Sequence, residues 1–205
     1  MTVIVTSPED VVNLALMRIG YPERVANIFD GTDAANAALN VYSQTRDELL
    51  RKEDWGFAER NMNLSLIKSA PQGGYFPPGI WDPRIYPPPP WLYEYVYPFD
   101  CLKVRAVKPT PLFIINFDPQ PYPFDVENDY NLSPPTKVIL TNVQNAVLTY
   151  TGQILDPLTW EADFTEALAD ALGRRLAPVL KGLEETKLEM AAEPLSQRAA
   201  DIQQG

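Results

Sequence analysis

Two pairs of adjacent carboxylates are the side chains in this sequence most suited to chemistry. Glu53 and Asp54 end one charged stretch, and Glu184 and Glu185 lie in another. Two carboxylates that flank a glycosidic bond perform acid–base hydrolysis, so a carboxylate-dependent cell-wall hydrolase is one function to consider. However, adjacent residues on a helix point in different directions and do not converge on one bond. We therefore predict that neither pair is catalytic.

The composition excludes most other catalytic and metal chemistry. The 205 residues include no histidine and one cysteine, Cys101. A structural zinc site, a histidine-based triad and an internal disulfide are therefore excluded. Carboxylates, lysine, tyrosine, serine and threonine remain for chemistry, so the composition makes an enzyme less expected without excluding one.

The charge of the chain argues against tight binding to nucleic acid. The net charge is −10 at pH 7 and the isoelectric point is about 4.5, whereas phosphate binding requires clustered lysine and arginine. The N-terminal stretch MTVIVTSPEDVV contains no basic region and no long apolar run. It predicts neither a signal peptide nor a membrane span.

Two helices are predicted in the first sixty residues. Ser7 is a good N-cap, Pro8 suits the first helical position, and Gly20 ends the first apolar stripe, which consists of Val12, Ala15, Leu16 and Ile19. A second helix is predicted from Thr32 or Asp33 to about Asp54. Its stripe at three- and four-residue spacing consists of Ala35, Ala38, Leu39, Tyr42, Thr45 and Leu49.

A change of period follows the second helix. Trp55-Gly56-Phe57 interrupts the helical pattern, and the alternating Met62, Leu64 and Leu66 predict a strand. We expect Trp55 and Phe57 to be buried at this junction, where they would anchor the helical part of the chain against the β part.

Residues 71–90 form a proline-rich insertion with eight prolines and three glycines. This density excludes a regular helix or sheet, and the prolines at 87–90 predict polyproline II. The insertion could be a ligand for an SH3- or WW-type groove. We favour a stiff surface loop, because no flanking basic residue would set a docking direction.

The middle of the chain is rich in predicted β structure. Trp91, Tyr93, Tyr95 and Tyr97 alternate along one strand face. Such a row can be a carbohydrate or base-stacking platform, the packed face of a sheet, or an interface between subunits. Further strands are predicted at 102–106, 112–117, 137–140 and 146–150, with a hairpin turn at 142–145 between the last two.

The C-terminal residues return to helix. Asp156-Pro157 predicts a capped start, and Pro178 is expected to kink or break the helix near Ala177. The polar tail after Pro194 is either frayed or held by a partner. The apolar stripe consists of Trp160, Phe164, Leu168, Leu172, Leu176, Val179 and Leu183.

These elements predict an α+β fold: a helical bundle built from both chain ends plus a central antiparallel β domain with long proline-rich loops. The predicted divisions are 1–60 for the N-terminal helical part, 61–155 for the β domain with the insertion 71–90, and 156–205 for the C-terminal helices with a partner-binding tail.

The order of these segments resembles the head-to-tail adaptor, or tail tubular protein A, family of tailed bacteriophages. The resemblance spans nearly the whole chain, and departs from the family at the 71–90 insertion and at Pro178. The segments that carry it are Val12-Asn13-Leu14-Ala15-Leu16 with Ile19-Gly20, Asp33-Ala34-Ala35, Arg46-Asp47-Glu48-Leu49-Leu50, Trp55-Gly56-Phe57-Ala58, Tyr93-Glu94-Tyr95, Tyr97-Pro98-Phe99-Asp100-Cys101-Leu102 with Val104, Leu148-Thr149-Tyr150, and Trp160 to Phe164 followed by 167–177.

The resemblance implies a structural virion protein of the neck, between capsid vertex and tail, with no enzymatic activity, no catalytic residue, no cofactor and no metal. Such proteins form a twelve-fold ring (a dodecamer) that binds the portal protein and the tail nozzle or next tail protein, and duplex DNA passes through without specific binding. On this basis Leu195, Arg198 and Ile202 are the expected portal-docking residues. The expected subunit or domain packing anchors are Trp55, Phe57, Trp91, Tyr93, Tyr95, Tyr97, Trp160 and Phe164. A neck or head-completion protein of a long-tailed phage or gene-transfer particle is the alternative, beside the tail-associated hydrolase.

Overall fold

Within the residues that the structure describes, three helices and two antiparallel sheets make the protein α+β, as the sequence predicts. The computed structural model describes residues 6–71, 81–110 and 121–203, with side chains of the last helix described as far as residue 182. The helices are α1 (Pro8–Arg18), α2 (Asp33–Lys52) and α3 (Ala162–Gln203). The strands are β1 (Glu59–Asn63), β2 (Leu66–Ser69), β3 (Tyr93–Val96), β4 (Cys101–Pro109), β5 (Phe124–Asp129), β6 (Thr136–Thr141) and β7 (Ala146–Gly152).

The chain divides into two compact units. Residues Met1–Lys52 and Ile154–Gly205 form one, and Glu53–Gln153 form the other. The first unit, which contains the helices, is therefore built from both ends of the chain. Trp55-Gly56-Phe57, which we grouped with the N-terminal helices, lies in the unit that contains the strands.

The start of α1 follows the sequence prediction. The Ser7 hydroxyl accepts a hydrogen bond from the Asp10 backbone N–H at 3.3 Å, and the Asp10 carboxylate accepts one from the Ser7 N–H at 3.1 Å. This reciprocal capping box satisfies two donors that a helix end leaves open. Gly20 follows the helix with a φ of 74°, a conformation that glycine adopts without strain.

Both shorter helices contact α3. Arg18 on α1 donates to the Glu166 carbonyl at 2.8 Å and pairs with the carboxylates of Glu166 and Asp170. A side chain at Gly173 would lie 3.2 Å from Cγ2 of Ile19, so this glycine permits the close approach of α1. Not all of the predicted stripe positions are buried, since Leu39 and Val179 are both exposed.

The predicted break at Pro178 is wrong, because α3 runs without interruption from Ala162 to Gln203. Proline removes one backbone hydrogen bond. Leu176 and Leu180 flank it and are essentially inaccessible to solvent. We infer that this packing on both sides of the proline keeps the helix continuous.

The helix also starts later than predicted. The Asp156 carboxylate accepts a hydrogen bond from the Leu158 N–H at 3.0 Å, but this caps a short 3-10 turn, Pro157–Thr159. The cap and proline that we assigned to the helix therefore belong to this turn.

The seven strands form two antiparallel sheets that enclose a core. The strand orders are β1-β7-β4 and β2-β3-β6-β5. Side chains from both sheets contribute to one buried cluster, which consists of Leu64, Tyr95, Cys101, Val107, Ile139, Val143, Ala146, Leu148 and Tyr150. The two sheets thus share a hydrophobic core, as in a sandwich.

Two predictions about strand connections are wrong. Residues 142–145 do not form a hairpin turn, because β6 pairs with β3 and β5 whereas β7 pairs with β1 and β4. The chain crosses between the sheets here, with Asn145 at a φ of 53°. The alternating stretch 61–66 likewise divides between β1 and β2, which belong to different sheets. Alternation identifies an extended chain but not its partner.

The described part of the proline-rich insertion, residues 81–90, contains no helix or strand, as predicted. The Trp91 N–H donates to the Pro88 carbonyl at 3.0 Å and closes a turn. Residues 87–90 therefore do not form an uninterrupted polyproline II segment. The rest of the insertion, 72–80, and the predicted strand at 112–117 lie outside the described residues.

Candidate functional site

Three charged side chains lie on the outer face of the four-stranded sheet. Lys68 on β2 is paired in register with Glu94 on β3, and Asp129 ends β5. Alternation along β3 directs Glu94 away from the core, into which its neighbour Tyr95 packs. All three are nevertheless buried, with 7%, 1% and 9% of their surfaces exposed for Lys68, Glu94 and Asp129 respectively.

The Lys68 ammonium is the centre of this cluster. It donates to the Asp129 carboxylate and to the Pro83 carbonyl at 3.0 Å. Its Nζ also lies 3.3 Å from Oε1 of Glu94, within ion-pair distance but without hydrogen-bond geometry. Oε1 of Glu94 has no hydrogen-bond partner among the described residues. Lys68 therefore stabilises the Asp129 carboxylate more than the Glu94 carboxylate.

Because of this asymmetry, Glu94 and Asp129 have different pKa values. Burial raises the pKa of Glu94 to about 7, against the opposing charge of Lys68. A hydrogen bond from protonated Glu94 to Asp129, and then the charge of Asp129, also raise this pKa. Burial also acts to raise the pKa of Asp129, but hydrogen bonds from Lys68 and Asn131 outweigh it and hold that pKa below its usual value. Of the two, Glu94 is the group that exchanges a proton near neutral pH.

A pocket of about 210 Å³ opens onto the cluster. The indole N–H of Trp81 donates to the Pro87 carbonyl at 3.0 Å, which fixes the ring at the pocket wall. The proline-rich segment thus covers part of the polar sheet face. The lining residues are Lys68, Trp81, Pro83, Pro88, Glu94, Glu127, Asn128, Asp129, Tyr130 and Asn131.

A second feature of the same unit is a fully exposed phenylalanine, Phe99, on the turn before β4. The next residue, Asp100, accepts hydrogen bonds from Arg60 and from the Tyr150 hydroxyl, the latter at 3.2 Å. The Cys101 N–H closes the turn on the Pro98 carbonyl at 3.1 Å. The turn is therefore held from several sides, although Phe99 itself has no apolar cover from the described residues.

The predicted aromatic row on β3 contributes to the core of the sandwich. Tyr95 is 2% exposed and its hydroxyl donates to the Val143 carbonyl at 2.8 Å. Tyr93 and Tyr97 are partly buried against the same core, and Trp91 is half-buried before the strand begins. Tyr95 is thus an intrachain core residue and not an open binding platform.

Trp55 precedes a 3-10 turn, Gly56–Ala58, and Phe57 lies within it; both are half-buried, with ring centroids 6.1 Å apart. The Trp55 carbonyl accepts a hydrogen bond from the Arg105 guanidinium at 2.7 Å. Arg105 also donates to the Thr151 hydroxyl at 2.9 Å and to the Glu59 carboxylate at 3.0 Å. Arg105 is the extra residue of β4 at one of two positions where this strand shifts register against β7. No pattern in the sequence indicated this positioning role of Arg105.

The remaining predicted anchors lie in the other unit. Trp160 and Phe164 meet edge to face with centroids 5.1 Å apart, and Phe164 is fully buried. The docking candidates Leu195, Arg198 and Ile202 belong to α3, but their side chains lie outside the described residues.

The carboxylate pairs considered first form no site among the described side chains. Glu53 and Asp54 are exposed, and Asp54 pairs with Lys103 at 2.8 Å. The side chains of Glu184 and Glu185 are not described. Lys68, Glu94 and Asp129 were not identified because they come from three distant strands. The available signal was a single carboxylate, Glu94, within an otherwise aromatic and apolar strand.

Comparisons with known proteins leave the function to be argued from the chain itself. No protein-family model matches it, and no curated protein matches it. Within the described ranges, no helix has both the length and the apolar character needed to span a membrane. Those ranges also contain no group of three acidic, histidine or cysteine side chains arranged to hold a metal ion.

Proposed function

We propose that the chain is a structural virion protein, a head-to-tail adaptor. It forms a ring between the portal and the tail nozzle, and DNA passes through that ring. The ordered motifs support this proposal, as does the α+β organisation, in which the helices come from both ends of the chain and the sheets from its middle. In the adaptor, the helical segments form the bundle that the resemblance implies.

The observation that carries the proposal is the position of Phe99. A fully exposed phenylalanine on a firmly held turn is unfavourable for an isolated chain, but it suits an anchor that a partner covers. Its turn belongs to one of the segments that resemble the adaptor family. We propose that Phe99 inserts into the neighbouring subunit of the ring, as a head-to-tail contact that closes around the axis.

The charge of the chain also suits a channel. Each subunit carries a net charge of −10, so a ring whose channel is lined by part of this charge repels the DNA backbone over roughly 8 Å at physiological salt. DNA must slide through the ring during ejection, and weak contact serves that movement better than tight binding.

Replacement of Phe99 tests the proposal. Phe99→Ser should leave the unfolding free energy of the isolated chain within about 0.5 kcal/mol, because the ring is exposed, while ring formation is lost. Phe29→Ser, an exposed phenylalanine of the other unit, is the matched control and should still assemble. Rings of unchanged yield with Phe99→Ser would contradict this contact.

The portal contact is assigned to the end of α3. Deletion of residues 194–205, which include Leu195, Arg198 and Ile202, should abolish portal binding and leave the thermal transition in place. Undiminished portal binding by the truncated chain would contradict the assignment.

Two alternatives give different outcomes in the same experiments. A neck or head-completion protein of a long-tailed phage or gene-transfer particle would form a ring but bind no tail nozzle. A tail-associated cell-wall hydrolase would release soluble fragments from purified peptidoglycan, and it would lose this activity on replacement of a carboxylate. The proposed adaptor releases none.

A further inference from the structure

We propose that the pocket beside Glu94 binds an organic cation, either the ammonium group of an alkylamine or lysine or the guanidinium group of an arginine. This inference goes beyond the adaptor role and does not depend on it. It concerns residues 68, 81–88, 94 and 127–131, all within one compact unit.

The charge balance of the pocket favours a cation. Three carboxylates, Glu94, Glu127 and Asp129, line it together with one ammonium, that of Lys68. Lys68 already donates to Asp129 and to the Pro83 carbonyl. With Glu94 ionised, the lining side chains therefore carry two negative charges in excess.

Other charged groups near this face do not supply the missing positive charge. On the covering segment, Arg84 pairs with Asp82 at 3.6 Å and is largely exposed. Asp125, at the start of β5, adds a further exposed carboxylate. On β6, which lies between β3 and β5, the residues in register with Glu94 and Glu127 are the apolar Leu140 and Val138.

Glu94 is the group in the pocket whose charge a ligand would compensate. Its side chain is 1% exposed, and Oε1 makes no hydrogen bond among the described residues, although the Lys68 ammonium lies 3.3 Å away. A buried ionised carboxylate without full compensation is unfavourable, so the group holds a proton instead. A cation that enters the pocket compensates the carboxylate and takes the place of that proton, which is released to solvent.

The walls also suit an organic cation. Trp81 and Tyr130 offer two aromatic side chains, and aromatic faces attract ammonium and guanidinium groups. At about 210 Å³ the pocket is below the roughly 300–1,000 Å³ of drug-sized ligand sites. It therefore fits one alkylamine or one basic side chain and excludes an oligosaccharide.

A metal ion is a poorer occupant. The Lys68 ammonium lies against both Glu94 and Asp129 and would oppose a second, divalent charge between them. No metal-binding group of three ligands occurs in the part of the chain that the structure describes.

Titration of the full-length protein with ethylguanidinium chloride at constant ionic strength tests the inference. Nuclear magnetic resonance should show saturable amide shifts at the non-proline residues of 81–88 and at residues 127–131 at about pH 8. Affinity should fall about tenfold or more at about pH 5.5, because Glu94 is then protonated. The absence of saturable shifts at about pH 8, up to about 100 mM ligand, would overturn the proposal.

Three variants separate binding in the pocket from a general effect of charge. Glu94→Gln should weaken binding about tenfold or more while the protein stays folded, whereas Glu23→Gln, which removes the same charge from an exposed position in the other unit, should bind as the parent does. Trp81→Ala should weaken binding several-fold. Equal affinity in all three variants would assign the shifts to nonspecific screening and reject the site.

Sedimentation velocity with and without ethylguanidinium distinguishes two sources of the cation, a second copy of this chain and a free alkylamine. Loss of self-association on addition of the ligand would assign the pocket to a basic side chain of a second copy of this chain. Saturable binding with unchanged association would assign it to a free alkylamine. Either result supports the cation site, and neither requires that the protein be an adaptor.

Discussion

Glu94 and Lys68 face each other across β2 and β3, with Oε1 and Nζ 3.3 Å apart, but the ion pair does not keep the carboxylate fully charged. Burial raises the pKa of Glu94 to about 7 in spite of the lysine. Desolvation therefore outweighs Coulomb attraction at this site, as is common for buried ion pairs. The cluster changes its net charge within the physiological pH range.

We predict that Glu94→Gln makes the protein less sensitive to pH. The pKa of Glu94 rises from an ordinary 4.5 to about 7 on folding, so its contribution to stability is present below pH 4.5 and is lost as pH rises through 7. The difference corresponds to roughly 3 kcal/mol. At about pH 8 the variant should therefore be more stable than the parent, as measured by urea unfolding.

Urea unfolding across the pH range gives the control for this prediction. The chain has no histidine, so few other groups titrate between about pH 5 and pH 8. Glu23→Gln should retain the parent's fall in stability over this window. A parallel fall in the Glu94→Gln variant would show that Glu94 is not the group responsible.

We predict that lysine cannot replace Arg105 without a loss of stability. Its guanidinium joins the Trp55 carbonyl, the Thr151 hydroxyl and the Glu59 carboxylate, and the shorter reach and single nitrogen of lysine cannot reproduce all three bonds. Arg105→Lys should lower the unfolding free energy by about 1–3 kcal/mol in urea. Arg84→Lys, at an exposed arginine, should leave it unchanged. Equal stability of the two variants would refute the positioning role.

Two phenylalanines in the helical unit should respond very differently to truncation. Phe164 is fully buried and packs against Trp160, whereas Phe29 is 76% exposed. Phe164→Ala should cost about 3–5 kcal/mol, and Phe29→Ala should stay within about 0.5 kcal/mol. Thermal unfolding of both variants measures the difference. Similar losses would mean that Phe164 is not a core residue.

Local chemistry explains what the sequence could predict. Ser7 and Pro8 specify a helix start within four residues, and the structure has the predicted cap. The runs 137–140 and 146–150 correctly indicated β6 and β7. Such features depend on near neighbours in the chain and can therefore be predicted from a single sequence.

Long-range pairing explains what could not be predicted. The short turn 142–145 is equally compatible with a hairpin and with a crossing between sheets, and only the packing of the whole sandwich selects the crossing. The approach of Glu94 to Asp129 depends on the order of β3, β6 and β5. Arg105 contacts Trp55 at a point where β4 contains an extra residue. No local sequence pattern predicts this extra residue.

The purified protein should not retain duplex DNA. Its net charge of −10 opposes the phosphate backbone. A gel-shift assay at low salt should show free DNA at micromolar protein. A retarded band at sub-micromolar protein would contradict a channel through which DNA passes with weak contact.

The mass of the assembly tests the proposed ring most directly. The chain should be measured by native mass spectrometry, alone and after mixing with portal rings, and imaged in negative stain. We predict a closed ring of about twelve copies, as head-to-tail closure requires a fixed rotation per subunit, seated on one face of the portal. A chain that stays monomeric in the presence of portal, with no density added to the portal ring, would contradict the adaptor function.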